Sequence, residues 1–337
     1  MRWICSSTLL PVSLAITSGA YGQRVHNEIL ETPAVRLELI GLKRWTLTMI
    51  QDSLARYAPE DSLTSHACAA ILRRKLGFAE AAVQYYPPDG TRKGYFAVPV
   101  LEPQDSARVR YRARPDDSLT DRPEWAVALR IFREHNQDFQ TTIQLPWLLL
   151  GRVSPDSVSP ELASARPLLN FLRSHHAKAD RQTALWTLAH DANTHNRVVA
   201  AVILAGFAAS DSIWWALADA LRDEDGMVSG TASQVLNALS LGAARPVDWA
   251  PMAGALRALL DGTSLFEHNR VLEVLAATRV NPSLAPALLR RGGELVLAKL
   301  QSQDPSTSHA AQRFLAQVSG RDFGQDVLAW EGWIRSL

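Results

Sequence analysis

At 337 residues the chain exceeds what a single hydrophobic core usually serves, so two units of ordinary size are expected. Lys plus Arg number 35 against 34 Asp plus Glu, a balance that gives no electrostatic basis for binding nucleic acid or an anionic membrane surface. Hydrophobic residues at 47% and charged residues at 20% are globular values and exclude a disordered chain.

Arg2 is followed by an uncharged apolar stretch from Trp3 to Ile16, then by small residues that include Ala20 and Gly22. This predicts a secretory signal peptide over 1–22, cleaved after Gly22, and hence a periplasmic or secreted protein. The stretch is shorter than the roughly 20 apolar residues of a membrane anchor, so no integral span is expected after the signal is removed. Cys68 is then the sole cysteine, which excludes an intramolecular disulfide. Its apolar helical setting, Ala67 to Leu72, predicts a buried and unreactive thiol.

Val35, Leu37 and Leu39 alternate ahead of Gly41, as in a short strand. Thr46 is an expected N-cap for a helix with Leu47, Ile50, Leu54 and Tyr57 on one side, stopped by Pro59. A second helix is predicted from about Leu63 or Thr64 to Gly77. Strands from Ala81 to Tyr86 and from Tyr95 to Leu101 follow, joined by a reversal at Pro87-Pro88-Asp89-Gly90. The order is strand, helix, helix, strand, strand.

Three stretches carry a resemblance. Val35 to Thr46, Ile71 to Val83 with its Leu76-Gly77-Phe78, and Val100 to Pro103 with its Glu102-Pro103 are similar, in that order, to a POTRA domain. The resemblance assigns 33–114 to a βααββ POTRA-like α+β domain. It implies periplasmic protein handling by addition of a partner strand to a sheet edge, which a three-stranded domain would leave open. The chain departs from that family after Glu102, where the repeated ten-residue alternation of a membrane barrel is absent.

From Gln104 to Pro123 the chain is polar, with arginines at alternate positions: Arg108, Arg110, Arg112 and Arg114. One reading is a basic strand edge that meets an acidic partner; the favoured one is a solvated strand leading into a linker. The span 115–165 is expected to be that linker, with one or two helices, the first carrying Trp125, Ala128, Leu129 and Phe132.

Beyond Arg166 nearly every segment has helical period, broken by short signals such as Asp191-Ala192-Asn193, Asp261-Gly262 and Asn281-Pro282. His195-Asn196-Arg197-Val198 recurs as His268-Asn269-Arg270-Val271, close to two periods of a repeat of roughly 40 residues. Midway lie Leu221-Arg222-Asp223 and Asp225-Gly226-Met227-Val228, then Ala232 and Leu236. These residues resemble a HEAT repeat, and the tail with Trp330 and Trp333 resembles its closing cap. The resemblance implies an armadillo-type α-solenoid over 166–337 whose concave face recognises another chain. The fold class is thus mixed but mostly α.

Arg197 and Arg270 are candidates for supporting the repeat turns or facing a ligand, the former favoured. Trp214, Trp215 and Trp249 are candidate partner anchors, with core packing as the other reading. No catalytic residue, cofactor or metal ligand is assigned, and the expected function is that of an exported, non-enzymatic scaffold or adaptor for a protein partner. The runner-up is a metal-dependent hydrolase using His175, His176, His190 and His195, which lack the spacing of a zincin helix. A static cell-envelope component is the third reading.

Overall fold

A computed structural model describes residues 24–88, 93–113, 115 and 120–337. The expected signal peptide, the Asp89-Gly90 reversal and Arg114 lie outside the described residues. Five strands and two helices form the N-terminal part: β1 (His26–Glu31), β2 (Val35–Leu42), α1 (Leu47–Tyr57), α2 (Cys68–Leu76), β3 (Glu80–Ala81), β4 (Gln84–Tyr86) and β5 (Gly94–Leu101). The sheet order is β1-β2-β5-β3, with β4 also on β5. β2 and β5 run parallel, Leu37 opposite Phe96, which requires the crossover that α1 and α2 supply. The other pairings are antiparallel.

Local chemistry accounts for these elements. Thr46 caps α1 by accepting from the Met49 amide, and Gly77 ends α2 in the left-handed conformation that a residue with a Cβ resists. The buried Glu102 carboxylate accepts from the amides of Lys43, Arg44 and Trp45 at 2.6–3.0 Å, tying the end of β5 to the loop after β2. The sheet differs from the three strands expected. β1 precedes residue 33, and the second predicted strand is split at Ala82-Val83, where the Ala82 amide still bonds the Pro99 carbonyl of β5 but the regular pairing is interrupted. Helix α2 starts later than predicted because residues 63–67 form turns instead.

Both sheet faces are covered. Leu37, Leu39, Phe96, Val98 and Val100 pack with Ile50, Leu54, Ile71 and Leu72 of α1 and α2. The alternate residues Glu38, Ile40 and Ala97 face the other way, and Ile40 and Ala97 meet Ala298. Ala82 and Leu101 likewise join Leu265 and Leu295. Gly41, at φ +94°, is needed where the sheet meets that second layer, because a Cβ there would lie 3.2 Å from the Val100 carbonyl and 3.3 Å from Leu295.

The rest of the described chain is helical: α3 (Ala126–Glu134), α4 (Asn136–Gln144), α5 (Pro146–Leu149), α6 (Arg166–Ser174), α7 (Lys178–His190), α8 (Thr194–Leu204), α9 (Asp211–Ala220), α10 (Gly226–Gly242), α11 (Ala253–Leu260), α12 (His268–Ala277), α13 (Ala285–Leu300), α14 (Pro305–Ser319) and α15 (Val327–Arg335). Sequence neighbours α7/α8, α9/α10, α11/α12 and α13/α14 pack together. Contacts also run along α7-α9-α11-α13-α15 and along α8-α10-α12-α14. Gly292 sets the closeness of α13 to α11, since a Cβ there would fall 2.9 Å from the Leu260 backbone.

The expected linker is not a separate connection. Trp125, Leu129, Phe132, Phe139, Ile143 and Leu149 belong to the same core as the later helices, and α4 and α5 lie against α10. An amphipathic segment beside an apolar helix face lowers its free energy by packing there, at about 25 cal/mol per Å² removed from water. The described residues of this mostly helical protein with a small mixed sheet are therefore packed together, from the sheet to the last helices.

Candidate functional site

Three aspartates mark successive turns: Asp191 after α7, Asp223 after α9 and Asp261 after α11. Arg108 to Arg112, and then Arg122, meet these turns in the reverse order. Arg110 reaches Asp261 at 2.5 Å, while Arg108 Nε donates to the Asp261 carbonyl. Arg112 donates twice to Asp223, at 2.5 and 3.1 Å, and once to the Leu188 carbonyl. Arg122 pairs with Asp191 at 3.2 Å, its guanidinium over the rings of Trp125 and Trp186. Arg110 and Arg112 are alternate residues of the irregular segment that follows a short 3-10 helix ending at Arg108, and both face the helix turns. The solvated strand expected here is thus a strap fastened by ion pairs, and its acidic partner is the chain itself.

Arg197 is 1% exposed and donates to the carbonyls of Asp191 and Ala192, with the Asp223 carboxylate 3.3 Å from its Nε. Asp223 therefore receives two guanidiniums, one from α8 and one from the strap. Arg270 lies elsewhere: it bonds Asn237 of α10 and pairs with Glu273 on its own helix. The repeated tetrapeptide falls at different depths in its two helices. In α8 it follows the N-cap Asn193 by two residues, whereas in α12 a turn of 3-10 helix from Leu265 precedes it.

Trp214 and Trp249 are fully buried, their indole N–H groups donating to the Ala208 carbonyl and the Thr278 hydroxyl. They are core residues, and the partner-anchor reading fails for both because no surface remains to meet a partner. Trp215 is half-buried and donates to the Asp248 carbonyl. Cys68 is buried, and burial pushes its thiol up to about 11, as an inert core residue requires.

The histidines are dispersed. His175 stacks on Phe171 and bonds its carbonyl, His176 lies by Phe207, His190 by Trp186, and His195 accepts from Arg133. Burial and the Arg133 charge hold His195 below its ordinary range. Among the described residues no three His, Cys, Asp or Glu side chains come together as a metal would require.

Sequence reasoning missed a set of buried titratable groups where the sheet meets the helices. Glu38, 1% exposed, accepts from Ser302 Oγ at 2.8 Å, from the Gln303 amide and from Tyr95. Lys299 is buried and donates to Asn269 at 2.7 Å; burial draws its ammonium down to about 7 against the opposing pull of Asp304 and Glu38. Burial also raises Glu267 to about 7 and holds His268 well below its usual value, with Lys299 adding to the latter. A charged residue inside a strand flanked by apolar neighbours, as at Glu38, was the one readable sign.

Open surfaces remain on the helices. A groove of about 540 Å³ between α11 and α13 is lined by Arg110, Arg257, Asp261, Arg290 and Arg291 over Pro286 and Ala287. Another, of about 470 Å³, lies between α12 and α14, with Glu273 and Arg313 at its sides. A third, of about 510 Å³, lies where Tyr86 and Tyr95 meet Asp304 at the start of α14. β1 ends the sheet with no strand on its outer side among the described residues. Among these residues no helix is long and apolar enough to cross a membrane. No family model, curated protein or solved structure matches the chain.

Proposed function

We propose that this protein is an exported scaffold or adaptor, acting in the periplasm or outside the cell, that binds a protein partner and performs no chemistry itself. In this reading the paired helices from α7 to α14 are a HEAT-like α-solenoid capped by α15, and the N-terminal sheet with α1 and α2 is a POTRA-like domain fused to it. The observation that carries the reading is the self-bracing of the helical rows. The strap and the sheet fasten the rows through Asp191, Asp223, Asp261 and Ala298, while the grooves at α11/α13 and α12/α14 stay open. A surface held rigid before binding loses less conformational entropy on recognition.

The reading also narrows where a partner docks. Helices α3 to α5 already lie against α8 and α10, so the free part of that row is α12 and α14. The outer edge of β1 is the place for strand addition, since an edge strand presents unpaired N–H and C=O groups.

Photo-crosslinking in the native cell, followed by fractionation, tests this. Reactive residues are placed at Glu31 on β1, Arg257 on α11 and Arg313 on α14, with exposed Tyr57 on α1 as control. A discrete protein adduct in the envelope or secreted fraction at one of the first three, and none at Tyr57, is expected. Absence of adducts at all three, or residence in the cytoplasm, overturns the reading.

A further inference from the structure

The groove between α11 and α13 holds four guanidiniums against one carboxylate in a chain whose total charge is close to zero. Arg110 is consumed by Asp261. Arg257, Arg290 and Arg291 are exposed; Arg290 donates to the Leu337 carbonyl at 3.3 Å, and among the described residues no ion pair engages Arg257 or Arg291. The carboxylate that could have neutralised Arg290 and Arg291 along α13, Glu294, is held instead by Lys43 and Arg108. Asp261 is itself buried, and that burial outweighs the surrounding arginines and raises its pKa. The positive charge of Arg257 and Arg291 therefore faces outward.

We infer that this groove binds an extended, carboxylate-bearing segment of a protein partner, with acidic side chains at alternate positions. The inference rests on the scaffold reading above and names the chemistry of its partner. Two features select carboxylates over a phosphate group. Arg257 lies in the last turn of α11, where the helix end presents partial negative charge and disfavours a concentrated dianion. The start of α13 lines the groove at Pro286 and Ala287, and proline there has no N–H, which depletes the amide cluster on which phosphates usually rest.

Spacing favours an extended chain. Packed helices lie about 8–10 Å apart, and alternate residues of a strand recur at roughly 7 Å, so charges on every second residue can meet Arg257 on α11 and then Arg291 on α13. The strap already uses this arrangement with the signs exchanged: arginines at 110 and 112 serve aspartates on successive turns. Ala287, three residues before Arg290 and four before Arg291, leaves room between them for a backbone to pass.

The test is fluorescence anisotropy with the purified full chain and a short labelled peptide carrying glutamate at alternate positions. Its glutamine counterpart and inorganic phosphate serve as the other arms. Saturable binding of the glutamate peptide is expected, weakened by added salt and by Arg257→Glu/Arg291→Glu by about tenfold or more. The same charge change at Arg56→Glu/Arg74→Glu, on α1 and α2, should leave the affinity within about twofold. All four arginines are exposed, so circular dichroism should report unchanged folding, and Arg257→Gln/Arg291→Gln provides a milder variant of the same loss. Equal binding of the glutamine peptide overturns the inference. So does displacement of the peptide by equimolar phosphate, or an equal loss in the two charge-reversed proteins. If the peptide fails while the crosslinked adducts above persist, the groove assignment falls and the scaffold reading stands.

Discussion

The two copies of His-Asn-Arg-Val sit in helices of similar make-up and meet opposite electrostatic surroundings. Around α8 the buried charges are matched: Arg197 and Arg112 converge on Asp223, and Arg122 holds Asp191. Around α12 they are not: Glu267, His268 and Lys299 are buried with neutral partners, and all three are pushed toward their neutral forms. Desolvation acts on both places alike; what differs is whether an opposite charge stands within contact distance. The comparison teaches that four identical letters do not fix a role. The distance from the helix start does, because it decides which neighbour the side chain reaches.

The largest expected effect comes from breaking the matched side. Arg197→Ala leaves buried Asp223 with one guanidinium and strips two part-buried turn carbonyls of their donor, so a loss of about 3–5 kcal/mol is expected in urea unfolding. Arg112→Ala should cost less, because part of that side chain's work is to fasten the strap rather than to fill a core. The double variant should lose less than the two single losses combined, since both act on one carboxylate. Strict additivity would show that Asp223 does not join them.

The unmatched side should speak through pH. Lys299 falls from 10.5 unfolded to about 7 folded, so between those values the unfolded chain binds more protons. Its contribution is complete above pH 10.5, declines as pH falls and is fully lost below pH 7, with a slope that approaches about 1.4 kcal/mol per pH unit. Glu267 rises from 4.5 to about 7, so its contribution is complete below pH 4.5 and is lost as pH rises to 7. The two together place a stability minimum near neutrality. Lys299→Met should flatten the alkaline limb and Glu267→Gln the acid limb, each read as the difference from the parent in chemical denaturation across pH 4 to 10.5. If Lys299→Met keeps the alkaline slope, the buried ammonium is not its source.

How much of this was readable beforehand follows from where the information resides. Helix starts were legible because capping is local: Asp225, Asp304 and Asp326 each accept an amide within three residues. The order of α1, α2 and the later strands was legible for the same reason. β1 was not, because His26-Asn27-Glu28 reads as polar coil, and only its partner β2 makes it a strand. The strap escaped because Arg112 finds Asp223 across 111 positions and Arg110 finds Asp261 across 151. Composition could say that arginines alternate, but only packing says what they face. The candidate tryptophans show the same limit, since Trp214 and Trp215 are adjacent in sequence and differ in burial by the turn of one helix.

The smallest expected effect sharpens the comparison most. Arg270 shares its tetrapeptide with Arg197, yet it bonds only Asn237 and a partly exposed Glu273 that Arg313 also approaches at 3.8 Å. Surface pairs of this kind contribute roughly 0–1 kcal/mol, and Asn237, which also loses its donor, is only partly buried. Arg270→Ala should therefore change unfolding by under about 1 kcal/mol, several-fold less than Arg197→Ala. A residual effect should appear on Glu267, whose carboxyl the Arg270 charge draws downward: without that charge the acid limb of the pH profile should shift to higher pH. Equal losses from Arg197→Ala and Arg270→Ala would mean that the shared letters, and not the differing helix starts, govern what these arginines do.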